Sequence, residues 1–354
     1  MSTFIQLHLL TSYPPANLNR DDLGRPKTAV MGGVQRLRIS SQSLKRAWRT
    51  SELFEEALAG HVGTRTRRIG KMIFDKLVAA GVKEEDAEAW ARKIASEFGK
   101  LKNTKGQEME IEQLVHLSPE ERQKIEDLTA KLIDENRGPK EEELALLCPR
   151  NKAVDIALFG RMLAEKAYFN IEAAAQIAHA ITVHKVAVED DFFTAVDDLS
   201  ASEEASDEAG KGAGHVGVTE FGSGLFYLYV CINRDLLIKN LQGDETLAAK
   251  ALRALTEAAA TVAPTGKQNS FASRAYASYV LAEKGTRQPR SLSLAFLKPV
   301  ESKDVLSEAI VALERTRERI DRVYGPVSAS FYVMNVHAGT GSLSGLLDFV
   351  SSPL

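Results

Sequence analysis

Apolar and polar residues alternate from Phe4, and the run turns fully apolar at Leu9 and Leu10. That pattern predicts a strand that becomes buried along its length. Pro14 and Pro15 are expected to end it, and a polar loop with Asn17, Asn19, Arg20, Asp21, Asp22, Gly24 and Pro26 follows. Gly32 and Gly33 mark a turn into a strand over 34–39 with basic residues at alternate positions. Ser40 and Ser41 precede a helix from about Gln42, and either serine can cap its free N–H groups. Residues 52–147 are rich in Ala, Glu, Lys and Leu and read as several helices. One starts at Ser118-Pro119-Glu120-Glu121, with a serine cap, proline in the first turn and acids at the positive end of the dipole. Pro139 is expected to open another in the same manner. Periodicity does not separate strand from helix over 150–169, and the Ala-rich stretch 171–183 reads as buried. Residues 197–224 are acidic and then glycine-rich, too poor in apolar side chains for a core, and predict an extended arm or hairpin. A buried strand over 225–233, helices over 244–262 and 302–322, and strands over 276–282 and 291–298 complete the pattern. No repeat at solenoid periods is present. The order predicts an α+β fold, a ferredoxin-like or RNA-recognition-motif-like sheet interrupted by a helical insertion and a long arm.

Composition narrows the function classes. The 354 residues suit one large domain or two ordinary ones. With 44% hydrophobic and 26% charged residues the chain is a globular protein, not a disordered or fibrous one. The longest apolar run, 225–232, is far short of the roughly 18 residues of a membrane span. The N-terminus lacks the basic region and cleavage site of a signal peptide. Two isolated cysteines, Cys148 and Cys231, exclude a disulfide framework and fit a reducing cytoplasm. A net charge of −3 excludes a globally basic nucleic-acid binder. Locally the picture differs. Residues 18–50 hold eight basic side chains against two acidic ones, and Arg65, Arg67, Arg68 and Lys71 follow. Residues 189–208 hold nine acids and no Lys or Arg. Such polarity makes one region attractive to polyanions, the plain alternative being an unevenly charged solvated surface.

Catalytic chemistry is harder to find. His179 and His184 are five apart, where a zinc-binding helix pair needs four. Gly266-Lys267 resembles the end of a phosphate loop, but the first glycine is missing and Gln268 stands where Ser or Thr would hold magnesium. Residues 339–345 do not form a nucleophile elbow. No cofactor or metal is expected. An RNA-processing endoribonuclease of ferredoxin-like fold is the alternative reading. His215 and Tyr227 could serve it, but nothing groups them with a lysine.

The strongest local signal is the basic strand that feeds the helix start Arg38-Ile39-Ser40-Ser41-Gln42-Ser43-Leu44-Lys45-Arg46. Free backbone N–H groups, the three serines and Gln42 can donate to phosphate. Lys45, Arg46 and Arg49 supply charge, and Lys45 and Arg49 are four apart on one side. The plain alternative is a well-capped surface helix. This stretch resembles the N-terminal signature of the backbone subunit of the type I-E CRISPR surveillance complex Cascade (the CasC family, RAMP superfamily), as does Asn19-Arg20-Asp21-Asp22. Residues 154–162 (Val-Asp-Ile-Ala-Leu-Phe-Gly-Arg-Met), 177–182, 193–199 and 214–221 continue the series in order. Residues 60–148 depart from that family's pattern.

The resemblance implies a right-hand shape: a modified ferredoxin-like/RRM-like palm sheet (1–56, 182–192 and 224–354), helical fingers (57–181) and an extended β-hairpin thumb (193–223). It also implies CRISPR RNA, further copies of the same chain (about six per complex), other Cascade subunits and target DNA paired to the guide as partners, with no membrane. Each thumb would displace every sixth nucleotide and leave the bases between free to pair. Recognition blind to sequence needs phosphate and ribose contacts, not base edges. The expected RNA-binding residues are Arg20, Lys27, Ser40, Gln42, Ser43, Lys45, Arg46 and Arg49. Met162 and Val216 match family positions near the displaced base, where an apolar side chain can wedge between bases of any sequence; for Met162 the alternative is core packing. Lys267 and Gln268 match the family's loop after a palm helix. The acids Glu203 to Glu208 would repel RNA and are expected to point outward or to meet a basic patch on another subunit.

Overall fold

The structure is a computed structural model that describes residues 2–195 and 215–354. Its spine is one antiparallel sheet of nine strands: β1 (Phe4–Ala16), β2 (Thr28–Met31), β3 (Val34–Ile39), then β6 (Ala175–Ile177) to β11 after a helical insertion. The insertion carries a separate two-stranded ribbon of β4 (Thr64–Thr66) and β5 (Val115–Leu117). The remaining strands of the large sheet are β7 (Ala180–Thr182), β8 (Glu189–Ala195), β9 (His215–Asn233), β10 (Ala277–Gly285) and β11 (Ser330–Asn335). The spatial order is β11-β10-β1-β9-β7-β3-β2, and β6, β7 and β8 share one side of β9.

Eleven helices are described. They are α1 (Ser41–Arg49), α2 (Glu52–Ala57), α3 (Ile69–Ala79), α4 (Glu84–Ser96), α5 (Pro119–Glu135), α6 (Val154–Phe159), α7 (Arg234–Asn240), α8 (Glu245–Thr261), α9 (Gln268–Phe271), α10 (Val305–Tyr324) and α11 (Leu343–Ser351). Ile5, Leu7 and Leu9 of β1 face one core with Trp48 of α1, Phe54 of α2 and the apolar face of α8. Leu10 faces the other side, where Tyr279, Leu281, Ile310 and Leu313 pack. The insertion has its own core, from Ile69 to Leu163. The chain is thus a mixed α+β protein, a central sheet with a large helical insertion.

Both faces of β1 are covered, so its polar residues are buried too. His8 hydrogen-bonds Tyr227 Oη at 2.9 Å and Glu283 Oε2 at 3.2 Å, and Arg290 pairs with the same carboxylate. Burial lowers the pKa of His8. Local signals explain much of the rest. Gly32 and Gly33 both take positive φ, which a two-residue hairpin between β2 and β3 requires. Ser118 and Glu121 form a reciprocal capping box on α5.

Three expectations fail. β1 does not stop at Pro14 and Pro15 but runs to Ala16, with the pairing irregular between Tyr13 and Ala16; a proline can sit at a bulge because no ladder N–H is needed there. Residues 291–298 form no strand: Ser293–Phe296 is a single 3-10 turn. Pro139 precedes only a 3-10 turn, Glu141–Leu144.

Candidate nucleic-acid interface

Helix α1 is the centre of the site. Ser40 Oγ accepts from the Ser43 N–H, so Ser40, not Ser41, is the cap. Leu44, Ala47 and Trp48 bury one face. The others open onto two clefts. One, of about 410 Å³, is lined by Leu18, Arg20, Ser43, Arg46, Thr265 and Gly266. The second, of about 660 Å³, is lined by Gln42, Lys45, Arg46, Arg49, Phe159 and Met162, with Arg65, Arg67 and Gln113 across from them. Arg46 lines both.

The loop before α1 is held by its own polar residues. Asn19 Oδ1 accepts from the Ser40 N–H at 2.8 Å, and Asp21 Oδ1 accepts from the N–H groups of Leu23 and Arg25, both at 2.9 Å. Asn19 and Asp21 are therefore fasteners, and Arg20 and Asp22 are the exposed members of that motif. Gly266 closes the first cleft: a Cβ there would collide with the Leu18 carbonyl. This close approach sets Lys267 beside the arm, its Nζ 3.4 Å from Thr219 Oγ1. Gln268 starts α9 and accepts from Ser273 Oγ at 3.3 Å.

The cations differ in what they are free to do. Lys45 lies 5.9 Å from the centroid of the Phe159 ring, and burial lowers its pKa. Among the described residues neither Lys45, Arg46, Arg20 nor Lys27 forms an ion pair. Arg49 does, at 3.6 Å from Asp155 Oδ2. Asp155 is fully buried and also accepts from His116 Nε2 at 2.6 Å and from the Gly63 N–H at 2.8 Å. Burial pushes its pKa up, but the bonds from His116 and Gly63 and the charge of Arg49 outweigh it and leave the carboxyl below its ordinary value. Arg36, counted in the same basic strand, is wholly buried and donates to the carbonyls of Thr182 and Phe296. It is a structural residue. Lys27 stands at β2, with Arg38 and His179 near it. Arg38 Nη1 is 2.9 Å from His179 Nδ1, and burial followed by the charges of Arg38 and Lys27 lowers the histidine pKa.

Met162 is 75% exposed, which removes the core-packing alternative. Its neighbour explains how it is held out. Arg161 is buried and grips Glu121 at 2.7 and 2.8 Å, with further bonds to the carbonyls of Cys148 and Phe169. Val216 pairs with Thr194 in the β8–β9 hairpin, and its side chain lies outside the described residues, as do Glu203 to Glu208 and the side chain of His215. Tyr227 is 2% exposed and bonded to His8, so it meets no solvent-borne substrate.

The structure thus brings Arg20, Ser43 and Arg46 to one cleft and Gln42, Lys45, Arg46, Arg49 and Met162 to the other. Ser40 is spent on its cap. Lys27 and Gln268 line neither cleft. The far wall, Arg65 in β4 and Arg67 just past its end, was counted as charge but not assigned; two arginines in three residues were the available signal. Among the described residues no three His, Cys, Asp or Glu side chains converge as a metal site, and no helix is long and apolar enough to cross a membrane.

A central sheet beside a separately cored helical insertion, with uncompensated cations around one helix, defines an α+β protein built to meet a polyanion. The chain belongs to the CT1975-like protein family, whose sequence model matches residues 5–346. Among solved structures, it resembles a chain of a "CRISPR RNA-guided surveillance complex, pre-nicking", with 33% identity and a TM-score of 0.83 over 98% of this chain and 99% of that one. A second, from a "CRISPR RNA-guided surveillance complex", is 28% identical with a TM-score of 0.72, covering 97% and 94%. No curated protein matches the sequence.

Proposed function

We propose that this chain is a sequence-independent CRISPR RNA-binding subunit that stacks head to tail along the guide and forms the backbone of a surveillance complex of the type I-E Cascade kind. One observation carries the reading. A chain that matches a surveillance-complex chain over 98% of its length lines the clefts beside α1 with Arg20, Lys45 and Arg46, which form no ion pair among the described residues. In this reading the central sheet is the palm, the separately cored insertion the fingers and residues 193–223 the thumb; β6 and most of β7, in the range 57–181 expected for the fingers, belong to the sheet. Arg20, Ser43, Arg46, Gln42 and Lys45 hold phosphate and ribose, which lets any spacer bind. Lys267 reaches the same backbone from the loop before α9, and Lys27 meets it at the start of β2. Met162 and Val216 flank the displaced base, and the bases between remain open to target DNA.

Co-expression with a guide RNA and the partner subunits, followed by mass determination of the particle, tests the reading. The expected particle holds several copies of this chain, about six for an ordinary guide, and gains one copy when the spacer lengthens by about six nucleotides. A lone chain without RNA would refute it. Lys45→Ala is the cleanest test of the site, because Arg49 also serves Asp155. Wild-type RNA affinity and wild-type salt dependence in that variant would reject the assignment.

A further inference from the structure

We propose that Arg65 and Arg67, on the helical insertion, grip the backbone of the same RNA that α1 holds, so that the guide is clamped between two separately cored parts of the chain. The inference rests on the RNA-binding reading above and deepens it by adding a second wall.

Arg65 lies in β4 opposite His116 of β5, and Arg67 follows two residues on. Both guanidinium groups are exposed and line the 660 Å³ cleft that faces Gln42, Lys45, Arg46 and Arg49. Neither forms an ion pair or side-chain hydrogen bond among the described residues. Their neighbour Arg68 pairs with Glu110 at 3.5 Å, so the two cleft arginines are the ones left over. The acids beside the cleft are engaged elsewhere: Glu112 with Lys100 at 2.9 Å, Glu110 with Lys102 at 2.7 Å and Arg68 at 3.5 Å, and Asp155 with His116 and Arg49. Lys45, Arg46, Arg65 and Arg67 therefore share one cleft with no ion pair of their own among the described residues. Like charges held together across a cleft repel, and an anion between them removes that cost.

The anion is a polymer. Arg46 lines both this cleft and the 410 Å³ one, so cationic side chains are offered on two sides of α1, more than one small ligand needs. Its lining mixes guanidinium groups with the amides of Gln42 and Gln113 and the apolar Leu114, Phe159 and Met162. That mixture suits phosphate, ribose and base faces without reading sequence. The two walls are pre-set against each other. Asp155 joins His116, opposite Arg65, to Arg49 on α1, so the second wall is already in place before RNA arrives.

The test compares Arg65→Ala/Arg67→Ala with Lys45→Ala in the full chain, binding single-stranded RNA of spacer length over a series of salt concentrations. Two lost phosphate contacts lower the log–log salt slope by about 1.4, and one by about 0.7. The double variant is expected to bind at least tenfold more weakly with unchanged melting, and Arg65→Lys/Arg67→Lys to recover most of the loss. If Lys45→Ala weakens binding and the double alanine variant does not, the second wall is wrong and the RNA reading stands. If the double variant holds RNA normally but captures complementary DNA poorly, the arginines serve the other strand and the proposal is overturned. If neither variant changes RNA binding, the assignment of the whole site fails.

Discussion

Arg161→Met should cost this protein about 3–5 kcal/mol of stability, the usual loss when one partner of a buried ion pair is removed. The side chains of Arg161 and Glu121 are 1% and 0% exposed, and their contact is 2.7 Å. Methionine keeps the aliphatic bulk but strands the Glu121 carboxylate in the insertion core. Against a total of about 5–15 kcal/mol the loss is large. Glu121 is also the acceptor for the N–H groups of Ser118 and Cys148. Adding Glu121→Gln to Arg161→Met removes the stranded charge but leaves one of those N–H groups without an acceptor, at about 1–3 kcal/mol. The double variant should therefore be more stable than Arg161→Met alone. Urea unfolding measures both, and the two tryptophans separate the cores: Trp48 is in the core below the sheet and Trp90 packs against the insertion core. The loss should appear first in the Trp90 signal. A cost under about 1 kcal/mol for Arg161→Met, or a double variant that loses the sum of the two single changes, would refute the claim that a coupled, desolvated pair holds this corner together.

Four further outcomes follow. Met162→Ala should leave stability within about 0.5 kcal/mol, because the side chain is exposed, yet reduce the yield of RNA-bound particles; equal yield would remove Met162 from the site. Gly32→Ala should destabilise by more than about 1 kcal/mol in thermal melts, because φ is +63° and a Cβ would overlap the Leu297 carbonyl. Gly266→Ala should weaken RNA binding with little loss of secondary structure by circular dichroism, since the loop must retreat from Leu18. Lys284 is buried among the carbonyls of Ser352 and Pro353, and burial, with repulsion from Arg234, lowers its pKa to about 8. The unfolded chain keeps that proton up to about pH 10.4, so stability should rise with pH between those values, by at most about 1.4 kcal/mol per unit. Lys284→Met should flatten that rise in pH-dependent melts.

The hairpin of β2 and β3, the capped start of α1 and the box on α5 were readable because each depends on neighbours within four residues. Residues 291–298 misled for a physical reason. Ser291, Leu292, Ser293 and Leu294 alternate as a strand would, but Leu292 and Phe296 are the buried pair and Leu294 points to solvent. β11 and α11 escaped notice: the strand is an edge only partly buried, and the helix is short and holds Gly345. α6 is six residues, too short for a period to declare itself. In the site, side-chain chemistry was legible but availability was not. Arg36, Arg49 and Arg161 look like Arg46 in the sequence. Only the fold shows that their charges go to Thr182 and Phe296, to Asp155 and to Glu121.

β9 has a mechanical consequence. One unbroken strand of 19 residues runs from the hairpin with β8 into the centre of the sheet, roughly 60 Å of extended chain at 3.3 Å per residue. Its glycines are not joints: a Cβ at Gly222 would press on Leu37, and one at Gly224 on Thr182. Over its described length β9 is therefore a lever without an elbow. A load on its end would be felt as torsion along the ladder with β1, and the stiffness of that ladder would set how far the end yields.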